Sequence, residues 1–173
     1  ALAIGLGLAL PGESRAAVNT FVPIGGIAIP NTFAGVSVDL ETGTTSNSIS
    51  GVIGGDANFF FGGAGISNDA DLSATAASWQ PVRSGTENTD DILNLSLGTT
   101  IDASTDFYST GFGSSGQVNE HVGGTGTFTD GVQGYIGFSL VIDDPQSPGS
   151  DLTVYGWALV TLENNDGTGT LHS

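Results

Sequence analysis

Few residues in this 173-residue chain are of the types that carry catalysis. The chain has no cysteine and only two histidines, His121 and His172, each in a context typical of a surface or strand-end residue. A Ser-His-Asp triad is compatible with this composition, but no serine has the G-x-S-x-G spacing of a hydrolase nucleophile elbow. A structural zinc site usually takes three or four nitrogen and sulfur ligands, so two imidazoles do not predict one. The sequence therefore predicts no catalytic residue and a protein that is not an enzyme.

The glycine-rich segment Gly111–Gly116 has the G-x-G-x-x-G spacing of a dinucleotide-binding loop. Such a loop must open a helix whose N-terminus receives the pyrophosphate. The residues that follow, QVNEHVGG, do not predict a helix. We therefore interpret the segment as a turn and expect no cofactor.

Two segments start like the calcium-binding nonapeptide G-G-x-G-x-D, one at Gly62 and one at Gly123. The sixth position should hold a carboxylate ligand, but Ser67 and Phe128 stand there instead. The repeat interpretation therefore fails at the residue that matters most for binding.

A different calcium site stays open as an alternative, because hard oxygen ligands on loops suit this ion. The candidates are Asp143 and Asp144 with Asp151 around a proline-containing loop, and Asn164–Asp166. Solvated turns account for the same residues. We predict a domain that folds without metal.

Two pairs of carboxylates, Asp39 with Glu41 and Asp90 with Asp91, raise the question of glycoside hydrolysis. An i, i+2 pair on one strand face lies roughly 7 Å apart, which retaining or inverting geometry allows. The alternation of apolar and polar residues, however, makes Asp39 and Glu41 the solvent face of a strand. We interpret them as surface residues.

The charge of the chain excludes several classes of partner. It carries 18 acidic residues against two basic ones, a formal net charge of -16. Such an excess repels nucleic acid and anionic membranes. Without cysteine there are no disulfides, so the fold must depend on a packed core.

The N-terminus has the character of the latter half of a secretory signal peptide. The run Ala1–Leu10 is apolar and too short to span a bilayer as a helix, and Ser14 and Ala16 are small residues at the −3 and −1 positions of a cleavage site. We predict that residues 1–16 are a signal peptide remnant. Residues 17–173 then form a single secreted domain.

Strand-length alternation recurs along the chain, and no segment holds the helical i, i+3, i+4 pattern. In one strand Val36, Val38 and Leu40 face inward, and in another Leu93, Leu95 and Leu97 do so. Further candidate strands are Phe21 to Ile29 in pieces, Ser48 to Ile53, Ala57 to Phe61, Ser78 to Val82, Asp106 to Thr110 and Thr125 to Thr129. This pattern predicts an all-β fold, an antiparallel two-sheet β-sandwich or jelly roll.

The C-terminal segment differs because its two long runs, YIGFSLVI and LTVYGWALVTL, are apolar on both faces. Such strands belong in the middle of a sheet or between layers. The residues between them, DDPQSPGSD, suit a loop joining a hairpin, and ENNDGTG predicts a tight turn before a short last strand. We expect this segment to be the centre of the domain.

The series GYIGFSLVI, YGWALVTL and GTLHS resembles the C-terminal part of PEP-CTERM proteins, which are exosortase-sorted bacterial surface proteins. The resemblance is specific from Tyr135 to His172 and looser before that. It implies a small all-β ectodomain, exported to the cell surface or extracellular matrix, with a non-catalytic role in envelope or biofilm structure. The implied partners are extracellular polysaccharide or other surface proteins.

The resemblance also implies that the reading frame continues after Ser173. We expect the last strand to be completed, followed by a Pro-Glu-Pro motif, a membrane-spanning helix and a basic cluster. Contact with a membrane would then come only through that anchor. The physical argument for continuation is that a terminal strand ending at Ser173 leaves an exposed sheet edge.

The alternative function is a carbohydrate-binding β-sandwich module, because such folds often carry sugar sites on a sheet face or on edge loops. Its candidate aromatic platforms are Trp79, Trp157, Tyr108 and Tyr155. The two-sided strand around Trp157 predicts a core position. Trp79, at a strand end before Pro81, is the better candidate for exposure.

Overall fold

A computed structural model describes residues 26–51, 55–68, 79–85, 91–107, 127–144, 146–163 and 167–172, and the backbone of 116–117. These residues form eleven β-strands and one 3-10 turn, and none of them is in an α-helix. The predicted signal peptide remnant, residues 1–16, lies outside this part of the chain.

The strands form two antiparallel sheets. Sheet A has the order β1-β11-β10-β9-β6, with β7 also paired to β9, and sheet B has the order β3-β2-β4-β5-β8. The strands are β1 (Ile27–Ile29), β2 (Val36–Val38), β3 (Thr45–Ser46), β4 (Ala57–Phe60), β5 (Gly65–Asn68), β6 (Trp79–Pro81), β7 (Asn94–Leu95), β8 (Gly116–Gln117), β9 (Gln133–Asp143), β10 (Asp151–Thr161) and β11 (Gly169–Leu171).

One apolar core joins the inner faces of the two sheets. Sheet B contributes Val36, Val38 and Phe59, and sheet A contributes Ile136 and Val160, all almost fully buried. On each strand the buried apolar residues are spaced by two, as successive side chains point to opposite faces. The predicted all-β fold with two antiparallel sheets is confirmed.

The long hairpin of β9 and β10 is the centre of sheet A, as predicted. The two strands pair over eleven residues each, from Asp151 opposite Asp143 to Thr161 opposite Gln133. β9 is paired on its other side by both β6 and β7, and β10 lies next to β11. The predicted turn at Asn164–Asp166 lies outside the described residues.

The expected exposed edge at the last strand is not present. β1 pairs with β11 over three residues, with Ile27 opposite Leu171 and Ile29 opposite Gly169. β11 is therefore an inner strand, and β1 forms that edge of the sheet. A chain segment 140 to 144 positions earlier supplies this pairing, so the local sequence could not indicate it.

The predicted alternation of buried and exposed residues at Val36–Glu41 is correct for the apolar face. It is wrong for Ser37 and Asp39 on the polar face. Val36 and Val38 are buried, but Ser37 is fully buried as well, and Asp39 is only 8% exposed. The hydroxyl oxygen of Ser37 accepts a hydrogen bond from Asn58 Nδ2. Asp39 Oδ1 accepts hydrogen bonds from the backbone N–H groups of Glu41 and Thr42, so it closes a turn.

The predicted inward set Leu93, Leu95 and Leu97 is wrong for its last two members, because Leu95 pairs with Tyr135 and lies on the outer face of β9 near Gly137. Ile92 is the fully buried residue here, whereas Leu97 is 83% exposed. The paired strand is only Asn94–Leu95, and the chain then turns, with Thr99 N–H donating to Ser96 O. The strand is too short to carry the alternation as far as Leu97.

The other predicted strands are recovered to different extents. Strands form within the predicted segments that begin at Phe21, Ala57 and Ser78. Residues 48–51 are a turn, and β3 lies just before it; residues 127–129 are not a strand. In the segment from Asp106 to Thr110, Phe107 makes an isolated bridge to Val82, and 108–110 lie outside the described residues.

Candidate functional site: the Trp157 groove

The most exposed aromatic residue of sheet A is Trp157, in the middle of β10. Its neighbour Ala158 points into the core, so strand alternation directs Trp157 to the outer face, where it is 52% exposed. Its cross-strand partner on β9 is Gly137. Because glycine has no side chain, nothing from that position covers the indole ring. The prediction that Trp157 is a core residue is therefore wrong.

Tyr135 supports the Trp157 ring from the neighbouring strand. It lies two residues from Gly137 on the same face of β9, and so is a diagonal neighbour of Trp157. The ring centroids are 5.5 Å apart with an interplanar angle of 77°. This edge-to-face contact is a favoured arrangement of aromatic rings. It supports one side of the exposed indole.

The segment from Leu95 to Ile101 crosses over β9 beside these rings and forms the other wall. A Cβ atom at Gly137 would lie 2.5 Å from Leu95 Cδ1 and 2.9 Å from Ile101 Cδ1. The side chains of this segment therefore occupy the space that a larger residue at position 137 would fill. Together the segment and the rings enclose an open groove of about 270 Å³, which we call the Trp157 groove. Its lining consists of Leu95, Ser96, Leu97, Gly98, Thr99, Ile101, Tyr135 and Trp157.

Asn94 holds this wall in place through three hydrogen bonds. Its Oδ1 accepts from Tyr135 N–H, its Nδ2 donates to Thr127 O, and its N–H donates to Thr127 Oγ1 at 2.7 Å. Thr127 Oγ1 in turn donates to Ile92 O. A Cβ atom at Gly134 would lie 2.6 Å from Asn94 Oδ1, so the hydrogen-bonded amide occupies the space beside this glycine. These hydrogen bonds therefore tie the start of the wall segment to β9 and to Thr127.

A second aromatic pair continues the same face. Tyr155 lies two residues before Trp157 on β10, and its ring stacks on Phe107 with centroids 5.6 Å apart. Val141, opposite Thr153 near the end of the hairpin, is 40% exposed on this face. Apolar side chains therefore continue on the outer face of sheet A beyond the groove, among polar ones such as Ser139 and Thr153.

Trp79, the predicted exposed platform, is a core residue. It pairs with Leu140, which points inward, and its ring lies 6.4 Å from that of Phe138. Only 1% of its surface is exposed, and its indole N–H is buried without a hydrogen-bond partner. Tyr108, the remaining candidate, lies outside the described residues. The sequence reasoning missed Tyr135 and the segment from Leu95 to Ile101.

A separate aromatic cluster lies in the first half of the chain. Phe33, Phe60 and Phe61 have ring centroids 5.6 to 6.5 Å apart, and Phe33 is 67% exposed. Phe61 has a positive φ of 51°, which is uncommon for a residue other than glycine. Its N–H donates to Thr32 O, so the loop before β2 fixes this conformation.

The predicted acidic residues do not gather into a metal site. Asp143 and Asp151 are opposite each other at the end of the hairpin, and Asp144 Oδ1 accepts from Gln146 N–H. Within the described ranges, no group of three or more His, Cys, Asp or Glu side chains is placed to hold a metal ion. Asn164–Asp166 lies outside those ranges.

Of the two carboxylate pairs, the structure describes Asp39 with Glu41. The pKa of Glu41 is raised, first by its partial removal from water and then by the nearby charges of Asp39 and Asp143. Asp90 lies outside the described residues, so its pairing with Asp91 is not described.

Of the two histidines, only His172 is described. It lies just after β11, its N–H donates to Leu159 O, and its Nε2 is 2.8 Å from Thr161 Oγ1. The side chain thus joins the end of β11 to β10. His121 lies outside the described residues.

Comparisons of the chain with protein-family models, curated proteins and solved structures give no match. In the part of the chain that the structure describes, no helix is long and apolar enough to cross a membrane.

Proposed function

We propose that this chain is a non-catalytic ectodomain, exported and held at the bacterial cell surface or in the extracellular matrix, where it contributes to envelope or biofilm structure by binding. The predicted signal peptide remnant, the acidic composition without cysteine and the resemblance to PEP-CTERM proteins support export. The Trp157 groove supports binding as the mode of action.

The proposal rests on where the segments that resemble PEP-CTERM proteins lie in the fold. They form β9, β10 and β11, which together make up most of sheet A. Within them, Gly134, Gly137 and Gly156 lie where a Cβ would meet a neighbouring side chain, so packing explains these glycines. Tyr135 and Trp157, from the same segments, lie on the outer face of the sheet, and both line the groove.

The lining of the groove suits recognition better than reaction. It consists of aliphatic, aromatic and hydroxyl-bearing residues, and among the described lining residues Tyr135 alone has an ionisable side chain. General acid–base chemistry needs a titratable group within reach of the substrate and tuned to the working pH. Apolar surface with a few polar groups is the usual composition of a ligand-binding site.

Location in the source organism tests the export proposal. An antibody against the mature domain should label intact cells or the extracellular matrix, and protease added to intact cells should remove the signal. The purified native protein should begin at Ala17, after cleavage behind Ala16. A cytoplasmic marker protein, which should resist the protease, is the control. Labelling that appears only after lysis would contradict the proposal.

A further inference from the structure

We infer that the Trp157 groove binds an uncharged polysaccharide, with the indole of Trp157 as the stacking platform. This inference rests on the proposed function, in which the domain acts by binding outside the cell. It adds the site and the chemical class of the ligand.

The first argument is the half-exposed indole ring, which is supported on one side. Trp157 is 52% exposed, and its edge-to-face contact with Tyr135 supports it on the hairpin of β9 and β10. Sugar rings present flat faces of C–H groups that pack against aromatic rings by dispersion. A rigid aromatic side chain gives a large contact area and loses little conformational entropy on binding.

The second argument is the set of polar groups at the rim. Ser96 and Thr99 are exposed and line the groove next to the aromatic pair. Thr99 Oγ1 donates to Ser96 O at 2.8 Å, so the hydroxyl is oriented and its lone pairs stay available as acceptors. Sugar hydroxyl groups are donors that suit such acceptors.

The third argument is size. The groove of about 270 Å³ is slightly smaller than the sites of about 300–1,000 Å³ that hold drug-sized ligands, so it fits one or two sugar rings. A stable protein partner would need about 800 Å² from each side. Tyr155, stacked on Phe107, extends the apolar face by roughly 7 Å along the strand. A ligand that is a chain of rings could use both.

The fourth argument is charge. None of the described lining residues is charged, while the chain as a whole carries a net charge of -16. This field repels acidic polysaccharides. A cationic ligand would bind best to an aromatic ring that has a carboxylate nearby. The described lining contains no carboxylate, and the Tyr135 ring is already in contact with Trp157. The field attracts cations, but a lining without carboxylates gives them no partner, so the lining suits an uncharged ligand.

The test is affinity electrophoresis of the purified domain in gels that contain soluble polysaccharides. Dextran, xyloglucan and hydroxyethyl cellulose are the uncharged probes, alginate the acidic probe and chitosan the basic probe. At least one uncharged probe should retard the domain, and high salt should leave the retardation unchanged because no ion pair is involved. Trp157→Ala should weaken binding by about tenfold or more, and Trp157→Phe by less.

Val141→Ala is the matched control, because Val141 is an exposed apolar residue on the same face but does not line the groove. It should bind as the wild type does. Thermal unfolding of every variant shows whether the fold is retained. Three results would overturn the inference: no retardation by any uncharged probe, retardation confined to alginate or chitosan, or equal binding by the Trp157→Ala variant.

The two proposals fail separately. A protein found at the cell surface that binds no uncharged polysaccharide loses the groove inference and keeps the proposed location. A protein confined to the cytoplasm whose binding still depends on Trp157 loses the export proposal and keeps the groove.

Discussion

The two tryptophans flank the same strand, one on each side, and their environments are opposite. Trp79 on β6 is opposite Leu140 of β9, and Trp157 on β10 is opposite Gly137 of β9. Leu140 points into the core and Gly137 points outward, so the two indoles lie on different faces of sheet A. Trp79 is 1% exposed and Trp157 is 52% exposed.

The comparison shows that strand length and position in the sheet do not decide burial. β6 is a three-residue strand at the sheet edge, yet its tryptophan is in the core. β10 is an eleven-residue inner strand, yet its tryptophan is at the surface. The burial of each tryptophan is decided by the face of the sheet to which its side chain points and by whether another layer covers that face.

The largest expected effect is on stability. Trp79→Ala should lower the free energy of unfolding by about 3–5 kcal/mol, because it leaves a large cavity in the core. Trp157→Ala should cost about 1 kcal/mol, the value of its contact with Tyr135. Urea unfolding followed by circular dichroism measures both without relying on tryptophan fluorescence. Equal costs would break the comparison.

A smaller effect is expected in fluorescence, where single-tryptophan variants sharpen the comparison. The Trp79→Phe variant retains only Trp157 and should emit at longer wavelength and be quenched readily by acrylamide. The Trp157→Phe variant retains only the buried Trp79 and should be shielded. The ratio of the two quenching constants is the readout. If the order were reversed, the assignment of the two faces would be wrong.

The smallest effect extends the comparison to two surface carboxylates whose pKa values are shifted in opposite directions. The folded-state pKa of Glu41 is raised above 4.5, chiefly by partial removal from water. The folded state therefore holds this proton more tightly than the unfolded state, and stability falls as pH rises from 4.5 through the raised pKa. Glu41→Gln should slightly stabilise the protein at neutral pH and make no difference below that window.

Asp102 provides the opposite sign. Hydrogen bonds from the side chain and backbone of Ser104 lower its pKa below 3.8. Its stabilising contribution is present above 3.8 and is lost as pH falls through the lowered pKa. Asp102→Asn should therefore destabilise the protein at neutral pH, and the difference should vanish in acid. Thermal midpoints from pH 2 to 7 give both curves, and shifts of the same sign would contradict the assignment.

The sequence by itself determined the all-β class, the central hairpin of β9 and β10, and the inward residues of β2. These follow from a period of two and from turn residues between apolar runs, which are local properties of the chain. The rejection of a dinucleotide loop at Gly111–Gly116 stays a prediction, because most of this segment and the residues after Gln117 lie outside the described residues.

Only the tertiary structure decided which face of β10 is covered. Both faces of this strand are apolar, so alternation could not distinguish them, and the covering layer comes from residues distant in sequence. Sheet B covers the inner face, while the segment from Leu95 to Ile101 packs over Gly137 of β9 and leaves Trp157 exposed beside it. The groove, the burial of Trp79 and the pairing of β1 with β11 all depend on such long-range contacts. The period-two pattern of a strand shows which residues share a face. It does not show which distant part of the chain packs against that face.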